Sequence, residues 1–323
     1  MRWLRRWGIS IGSLALGLAT LFVFRRGLPH VGWIVGYMLL LGLVVAILAE
    51  ARVPLEERGR GLVVSAAEYT IQTLYHNLLL FVLPAYWASA TLTSPNVIFV
   101  GGVALGALIT TIDPLYSALG RQYRWLKHGL LAFSIFAALN VALPLVGVRP
   151  GVALVGSAAL AGLALAPAFR GTGAGWARAL ALASGVAVVM VAIVWIGRII
   201  VPPAPVFLAA KQVARDVREL EPVDAIDGPI PAATVAEWGG AVAAYTAVHA
   251  PAGLRDKIEH VWWKNGRVIA RVRLSPVEGG RAQGFRTWSR KSDLGTPLEG
   301  DYAVDVQTAS GQLIGRLTFT VTP

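Results

Sequence analysis

Residues 179–205 read ALALASGVAVVMVAIVWIGRIIVPPAP, and they divide the chain. Up to Ile200 the run carries one charge, Arg198, and is long enough for the roughly 20 apolar residues that cover about 30 Å of hydrocarbon. Val201-Pro202-Pro203-Ala204-Pro205 then stiffens the backbone, because proline fixes φ and removes a donor. Everything before this point is apolar with sparse arginines. Everything after it is mixed and polar.

Working back toward the N-terminus, six more stretches have the same character: 7–24, 31–49, 69–92, 96–112, 129–147 and 151–169. The chain is 55% hydrophobic and only 15% charged over 323 residues, against about 25% charged in ordinary soluble domains. Residues 1–202 hold 15 of the 29 Lys and Arg and five acids, while residues 203–323 hold 14 basic groups and 13 acids. The net charge of +11 therefore belongs almost wholly to the apolar part, where long greasy runs separate the arginines. A nucleic-acid surface would cluster them on one face, so that class is excluded. With no cysteine, disulfides, Cys-ligated zinc, iron–sulfur clusters and thiol catalysis are excluded too.

These runs predict a bundle of about seven transmembrane helices over residues 1–202. Short-loop arginines and lysines set its orientation. With the N-terminus inside, eleven basic residues, among them Arg5, Arg58, Lys127 and Arg178, fall on the cytoplasmic side and four, Arg25, Arg26, Arg149 and Arg198, on the other. An odd number of crossings then delivers the C-terminal part outside, into the periplasm of a cell with an inner membrane. Arg25-Arg26 follows the first apolar run where a signal peptide would have a small-x-small cleavage site, so that run reads as a retained helix.

Residues 203–231 read as a juxtamembrane linker. Val206, Ala210, Val213, Val217 and Leu220 have near-helical spacing and predict a short helix, with a strand as the alternative. From residue 232 the pattern turns to period two. Tyr245–His249, Ile258–Lys264, Arg267–Leu274, Gln283–Arg290, Asp301–Thr308 and Gln312–Val321 read as strands. Asn265-Gly266 between two of them is the signature of a type I′ hairpin. Residues 232–323 are therefore expected to form an antiparallel β-sandwich, Ig-like but without the Cys–Trp–Cys hallmark.

Several segments of this tail carry a resemblance. They are Glu221-Pro222-Val223-Asp224, Ala250-Pro251-Ala252-Gly253-Leu254 leading to Ile258-Glu259-His260-Val261-Trp262, Gly284-Phe285-Arg286-Thr287-Trp288-Ser289-Arg290-Lys291, Gly300-Asp301-Tyr302 and Gly311-Gln312-Leu313-Ile314-Gly315-Arg316. Over about residues 206–323 the chain resembles a bacterial domain of unknown function that closes multi-pass membrane proteins. Leu83–Thr91 and Thr111–Tyr116 look like the membrane half of the same architecture. The resemblance implies a membrane-anchored extracytoplasmic β domain. It implies no activity and carries over no catalytic residue.

Motifs for chemistry are sparse. Gly8-Ile9-Ser10-Ile11-Gly12 matches a nucleophile elbow but opens an apolar helix, so Gly8/Gly12, like Gly32/Gly36 and Gly102/Gly106, reads as a helix-packing motif. Glu68, Gln72 and His76 are spaced i, i+4, i+8 on one stripe of the third span, and Asp113 ends the fourth. Such groups at membrane depth are costly and mark a candidate proton, ion or substrate site. The plainer reading gives Glu68 to the interface and has His76 bond a neighbouring helix.

In the tail, regular alternation puts Arg286, Trp288 and Arg290 on one face of a strand, with Lys291 next to them, and Arg271 with Arg273 on one face a hairpin earlier. Arginine binds oxyanions bidentately and Trp stacks, so these residues, with Trp262, form a candidate surface for a protein or an anionic envelope component. The plainer reading is a solvated sheet whose Arg286 and Arg290 pair across strands with Asp301 and Asp305. His249 and His260 have no third ligand at metal spacing and read as structural. No cofactor and no metal is expected. The leading expectation is a non-enzymatic binding or scaffold protein of the bacterial envelope, touching the lipid bilayer and a protein or anionic partner. The alternatives are a transporter or membrane enzyme using the helical stripe, and an accessory subunit of a larger membrane complex.

Overall fold

The computed structural model describes residues 31–123, 125–170 and 175–323. The first expected span (7–24) and the Gly8/Gly12 motif lie outside the described residues. Among them, eight helices precede the first strand: α1 (Val31–Glu57), α2 (Gly61–Ala88), α3 (Val97–Thr111), α4 (Asp113–Gln122), α5 (Leu126–Leu145), α6 (Pro150–Leu163), α7 (Ala166–Arg170) and α8 (Trp176–Ile196). Pro84 and Pro144 lie within α2 and α5.

Seven crossings are not what these helices support. By length and composition, three stretches among the described residues suffice: Leu126–Leu145, Pro150–Arg170 and Trp176–Ile196. A fourth arises only if α3 and α4 count as one span, and they are bent by 101°. The physical reasons are local. Gln72, His76 and Asn77 interrupt the apolar run of α2, and Asp113-Pro114 turns the chain at the end of a 15-residue α3.

The described residues divide into two compact units, the first comprising those of 31–85, Phe99–Ala142 and Ala153–Gly197. Within it, the helices approach closely through small residues. A Cβ on Gly162 of α6 would lie 2.4 Å from the Ala187 Cα of α8, and the buried side of α8 is the stripe Ala179, Ala183, Ala187. Gly106 of α3 lies against Leu79 and Phe133, as its G-x-x-x-G spacing with Gly102 suggests. Among the described residues, nothing lies within 4 Å of where a Cβ on Gly36 would project.

The second unit holds Tyr86–Ile98, Leu143–Val152 and Arg198–Pro323. Its strands are β1 (Phe207–Arg218), β2 (Glu221–Ile226), β3 (Ile230–Pro231), β4 (Val242–His249), β5 (Arg255–Asp256), β6 (Ile258–Lys264), β7 (Arg267–Arg273), β8 (Val277–Glu278), β9 (Phe285–Lys291), β10 (Gly300–Thr308) and β11 (Leu313–Thr322), with a short helix α9 (Ala232–Glu237) after β3. Four form an antiparallel sheet in the order β2-β1-β4-β9. Five form a mixed sheet, β3-β11-β10-β6-β7, in which only β3 runs parallel to its neighbour, and β5 pairs with β8.

The Asn265-Gly266 hairpin joins β6 to β7 with positive φ at both residues, as the sequence demands. Within residues 206–220 the chain forms the strand β1 and not a helix. Pairing to β2 and β4 outweighs the spacing of four and three, and a bulge between Leu208 and Ala210 hides the period of two. The β domain therefore begins at Phe207, and the expected linker supplies three of its strands. Its core is shared by both sheets, with Val213, Val242 and Ala244 facing Trp262, Tyr302, Val304, Leu317 and Phe319. Tyr302 stacks on Phe319 at 5.0 Å, and Trp262 meets Phe319 edge-on at 6.5 Å.

Candidate functional site

In the helical unit, the stripe of α2 meets the end of α3. Gln72 Nε2 donates to the Thr110 carbonyl (2.9 Å) and to Asp113 Oδ1 (2.7 Å). His76 Nδ1 lies 2.7 Å from Thr111 Oγ1, and Thr111 donates in turn to the Ala107 carbonyl at 2.7 Å. Gln72 and His76 are buried; the Thr110 carbonyl that Gln72 meets is one of those a helix C-terminus leaves open, while His76 meets the Thr111 hydroxyl. Glu68, one turn nearer the start of α2, pairs with Lys127 of α5 at 3.3 Å, with both side chains partly exposed. The four residues picked from the sequence thus belong to one cluster. Thr110, Thr111 and Lys127, which complete it, were not singled out. A hydroxyl, an amide and a carboxylate arranged this way lock α2 to α3 across the 101° bend that follows.

In the β domain, the candidate surface residues separate. Arg286, Trp288 and Arg290 alternate outward from edge strand β9, while Thr287 and Ser289 turn inward and are buried. Trp288 is exposed and lies opposite Tyr245 of β4, with Lys291 at the strand's end opposite Val242. Arg271 and Arg273 are exposed on β7, the edge of the other sheet, so they form a second patch. Arg271 donates to Glu259 at 2.8 Å.

The expected pairing of Arg286 and Arg290 with Asp301 and Asp305 does not occur. Strand β9 joins β4 in one sheet while β10 carries the two aspartates in the other. Arg286 pairs instead with Glu221 of β2 and donates to Gln283 at 3.1 Å. Asp305 is fully buried and held by the guanidinium of Arg316, which faces it across β10–β11. Arg316 also donates to the Thr93 carbonyl at 3.3 Å, and that hydrogen bond raises no conflict with its charge, since Asp305 holds its pKa above the ordinary value. Thr91–Asn96 therefore covers this side of β10–β11, with Asn96 Nδ2 donating to the Leu313 carbonyl at 3.3 Å.

Trp262 is not a surface residue. It is fully buried, and its Nε1 donates to Ser289 Oγ at 2.9 Å. Ser289 Oγ also lies 2.8 Å from His260 Nδ1, and His260 Nε2 lies 3.0 Å from Thr246 Oγ1. His260 thus bridges the two sheets, and burial pushes its pKa down to about 4, keeping the ring neutral. His249 stacks on Phe207 with ring centres 4.6 Å apart, and partial burial lowers its pKa as well.

Comparison with known proteins gives families and no activity. The model of a family of unknown function (DUF5924) matches residues 2–239, and that of a protein of unknown function (DUF2914) matches residues 255–321. The first match runs through β1, β2 and α9, and the second starts at β5, so strands of both matches share one core. No curated protein and no solved structure matches the chain. With some three-quarters of its length under the first match, the chain belongs to the family of unknown function DUF5924, and it ends in a region similar to DUF2914.

Proposed function

We propose that this chain is a membrane-anchored binding protein: its helices fix it in a cytoplasmic membrane, and its Ig-like β domain, on the extracytoplasmic side, recognises an anionic envelope component. The outward row Arg286, Trp288, Arg290 on β9 carries the reading. It lies on the edge of its sheet, where backbone donors and acceptors are free to meet a partner, and sets the exposed Arg290, with Arg286 in an exposed ion pair to Glu221, beside a stacking ring.

Three observations support the anchoring. Three helices have the length and composition to span. Exposed tryptophans flank helix ends, Trp87 and Trp195 at the C-terminal ends of α2 and α8, Trp125 and Trp176 at the N-terminal ends of α5 and α8, as rings do at membrane interfaces. The turns 86–98 and 143–152 and the exit from α8 all belong to the same unit as the β domain. These are segments that the count of short-loop arginines and lysines places outside, with the β domain.

The test is retention of the purified full chain on immobilised dextran sulfate. Wild type should be retained at about 50 mM salt and released as salt rises, because the Debye length, about 10 Å at 0.1 M, shortens with added salt and weakens attraction between exposed charges. The variant Arg286→Ala/Trp288→Ala/Arg290→Ala should elute early. Equal retention of the two proteins overturns the reading.

A further inference from the structure

A cleft of about 550 Å³ opens in the second unit, walled by the turn after α2, the start of β1, and β11. Its size is that of a small-ligand site. Three features of the chain build it. The bulge between Leu208 and Ala210 leaves Ala209 without a cross-strand partner and presents small exposed residues toward the cleft. Gly315 lets β1 come close to β11, since a Cβ there would lie 2.6 Å from Leu208 Cδ1. Thr91, Leu92 and Thr93 close the third side, with Leu92 largely exposed.

The lining is half apolar and one-sided in charge. Leu92, Leu208 and Ile314 give it grease, Thr91, Thr93 and Thr318 give hydroxyls, and among the described residues that line it Lys211 is the one charged side chain and none is a carboxylate. The neighbouring guanidinium of Arg316 is already neutralised by Asp305. Lys211 spends one donor on the Arg316 carbonyl at 2.8 Å, which fixes the ammonium, and an ammonium has three. Partial burial lowers its pKa, so a bound anion would relieve an existing desolvation cost.

The geometry points to a site for the anionic headgroup of a membrane phospholipid, its phosphate on the Lys211 ammonium and its first methylenes against Leu92 and Leu208. This rests on the anchoring reading above, in which Trp87, one residue before the cleft wall, marks the headgroup level.

The test uses the full chain in nanodiscs made of equal parts phosphatidylcholine and phosphatidylglycerol, with lipids retained after release counted by native mass spectrometry. Both lipids carry the phosphate, but the choline cation of phosphatidylcholine would sit beside the Lys211 ammonium in a lining without a carboxylate, so wild type should keep phosphatidylglycerol over phosphatidylcholine by about tenfold. Lys211→Met should fall to parity and Lys211→Arg should retain the preference. Ala210→Trp, which fills the cleft from an exposed position, should also fall to parity while melting like wild type. Parity in the wild type, or an unchanged preference in both Lys211→Met and Ala210→Trp, overturns the proposal while leaving the anchoring intact. Full displacement of the lipid by millimolar glycerol phosphate overturns the choice of lipid in favour of a soluble phosphate ester. Failure of the chain to enter nanodiscs overturns the anchoring itself, and this proposal with it.

Discussion

The two halves of this chain hide opposite things. Helix α8 buries only Ala179, Ala183 and Ala187, and leaves Val188, Ile193 and Ile196 at 69%, 63% and 80% exposure. The β domain buries Trp262, Tyr302 and Phe319 and turns Arg273, Arg290 and Trp288 outward. In water, apolar area is the driving force, so large rings go inside. In hydrocarbon that force vanishes between helices, small residues win by allowing close approach, and large apolar side chains belong outside. The difference between the halves is what two different surroundings would impose on one polypeptide.

The strongest way to break the contrast is on the β side. Trp262→Ala removes the ring packed against Phe319 and the indole N–H that donates to Ser289. It should cost about 4 kcal/mol, read as a lower urea midpoint for the domain. A cost under 1 kcal/mol would mean the shared core is not what holds the sheets together.

Acid should act through the next residue but one. His260 titrates near 4 in the folded domain and near 6.5 when unfolded, so between those values the unfolded chain binds the extra proton. Stability is then fully present above about pH 6.5 and falls by about 3 kcal/mol on acidification to pH 4. His249, also lowered, adds in the same sense, and Asp256, raised by burial, opposes it toward the acid end. His260→Gln should remove most of the slope. An unchanged slope would show that the bridging imidazole is not the source.

The smallest effect belongs to the helices. Gly162→Val forces a side chain into Ala187 and should cost about 2 kcal/mol of helical stability in detergent without touching the β domain's melting. Equal stability would mean that α6 and α8 do not rely on this approach.

Local signals were legible in the sequence, and non-local ones were not. Asn265-Gly266 and the alternation through 245–249, 258–264 and 301–308 placed β4, β6, β7 and β10 within a few residues, because turn chemistry and period two are written in neighbours. Residues 206–220 misled, since one bulge shifts the alternation and pairing with β4, some 30 residues on, decides the strand. Arg286 was given the wrong acid because β9 and β10, adjacent in sequence, belong to different sheets. The stripe Glu68, Gln72, His76 was legible from spacing alone, but its partners Thr110, Thr111 and Lys127 come from other helices. Nothing near Asp305 in sequence announces that an outward-facing carboxylate will be buried, as its cover, Thr91 and Thr93, lies more than 200 residues upstream.

The absence of native cysteine makes the central claim, helices in a membrane and the β domain beyond it, directly measurable. Single variants Ala282→Cys, on an exposed loop of the β domain, and Arg60→Cys, on the exposed turn between α1 and α2, would be expressed in a bacterial host and treated in intact spheroplasts with a membrane-impermeant maleimide. Labelling of Ala282→Cys at once, and of Arg60→Cys only after permeabilisation, is the predicted result. Labelling of both at once, or of Arg60→Cys alone, contradicts the account.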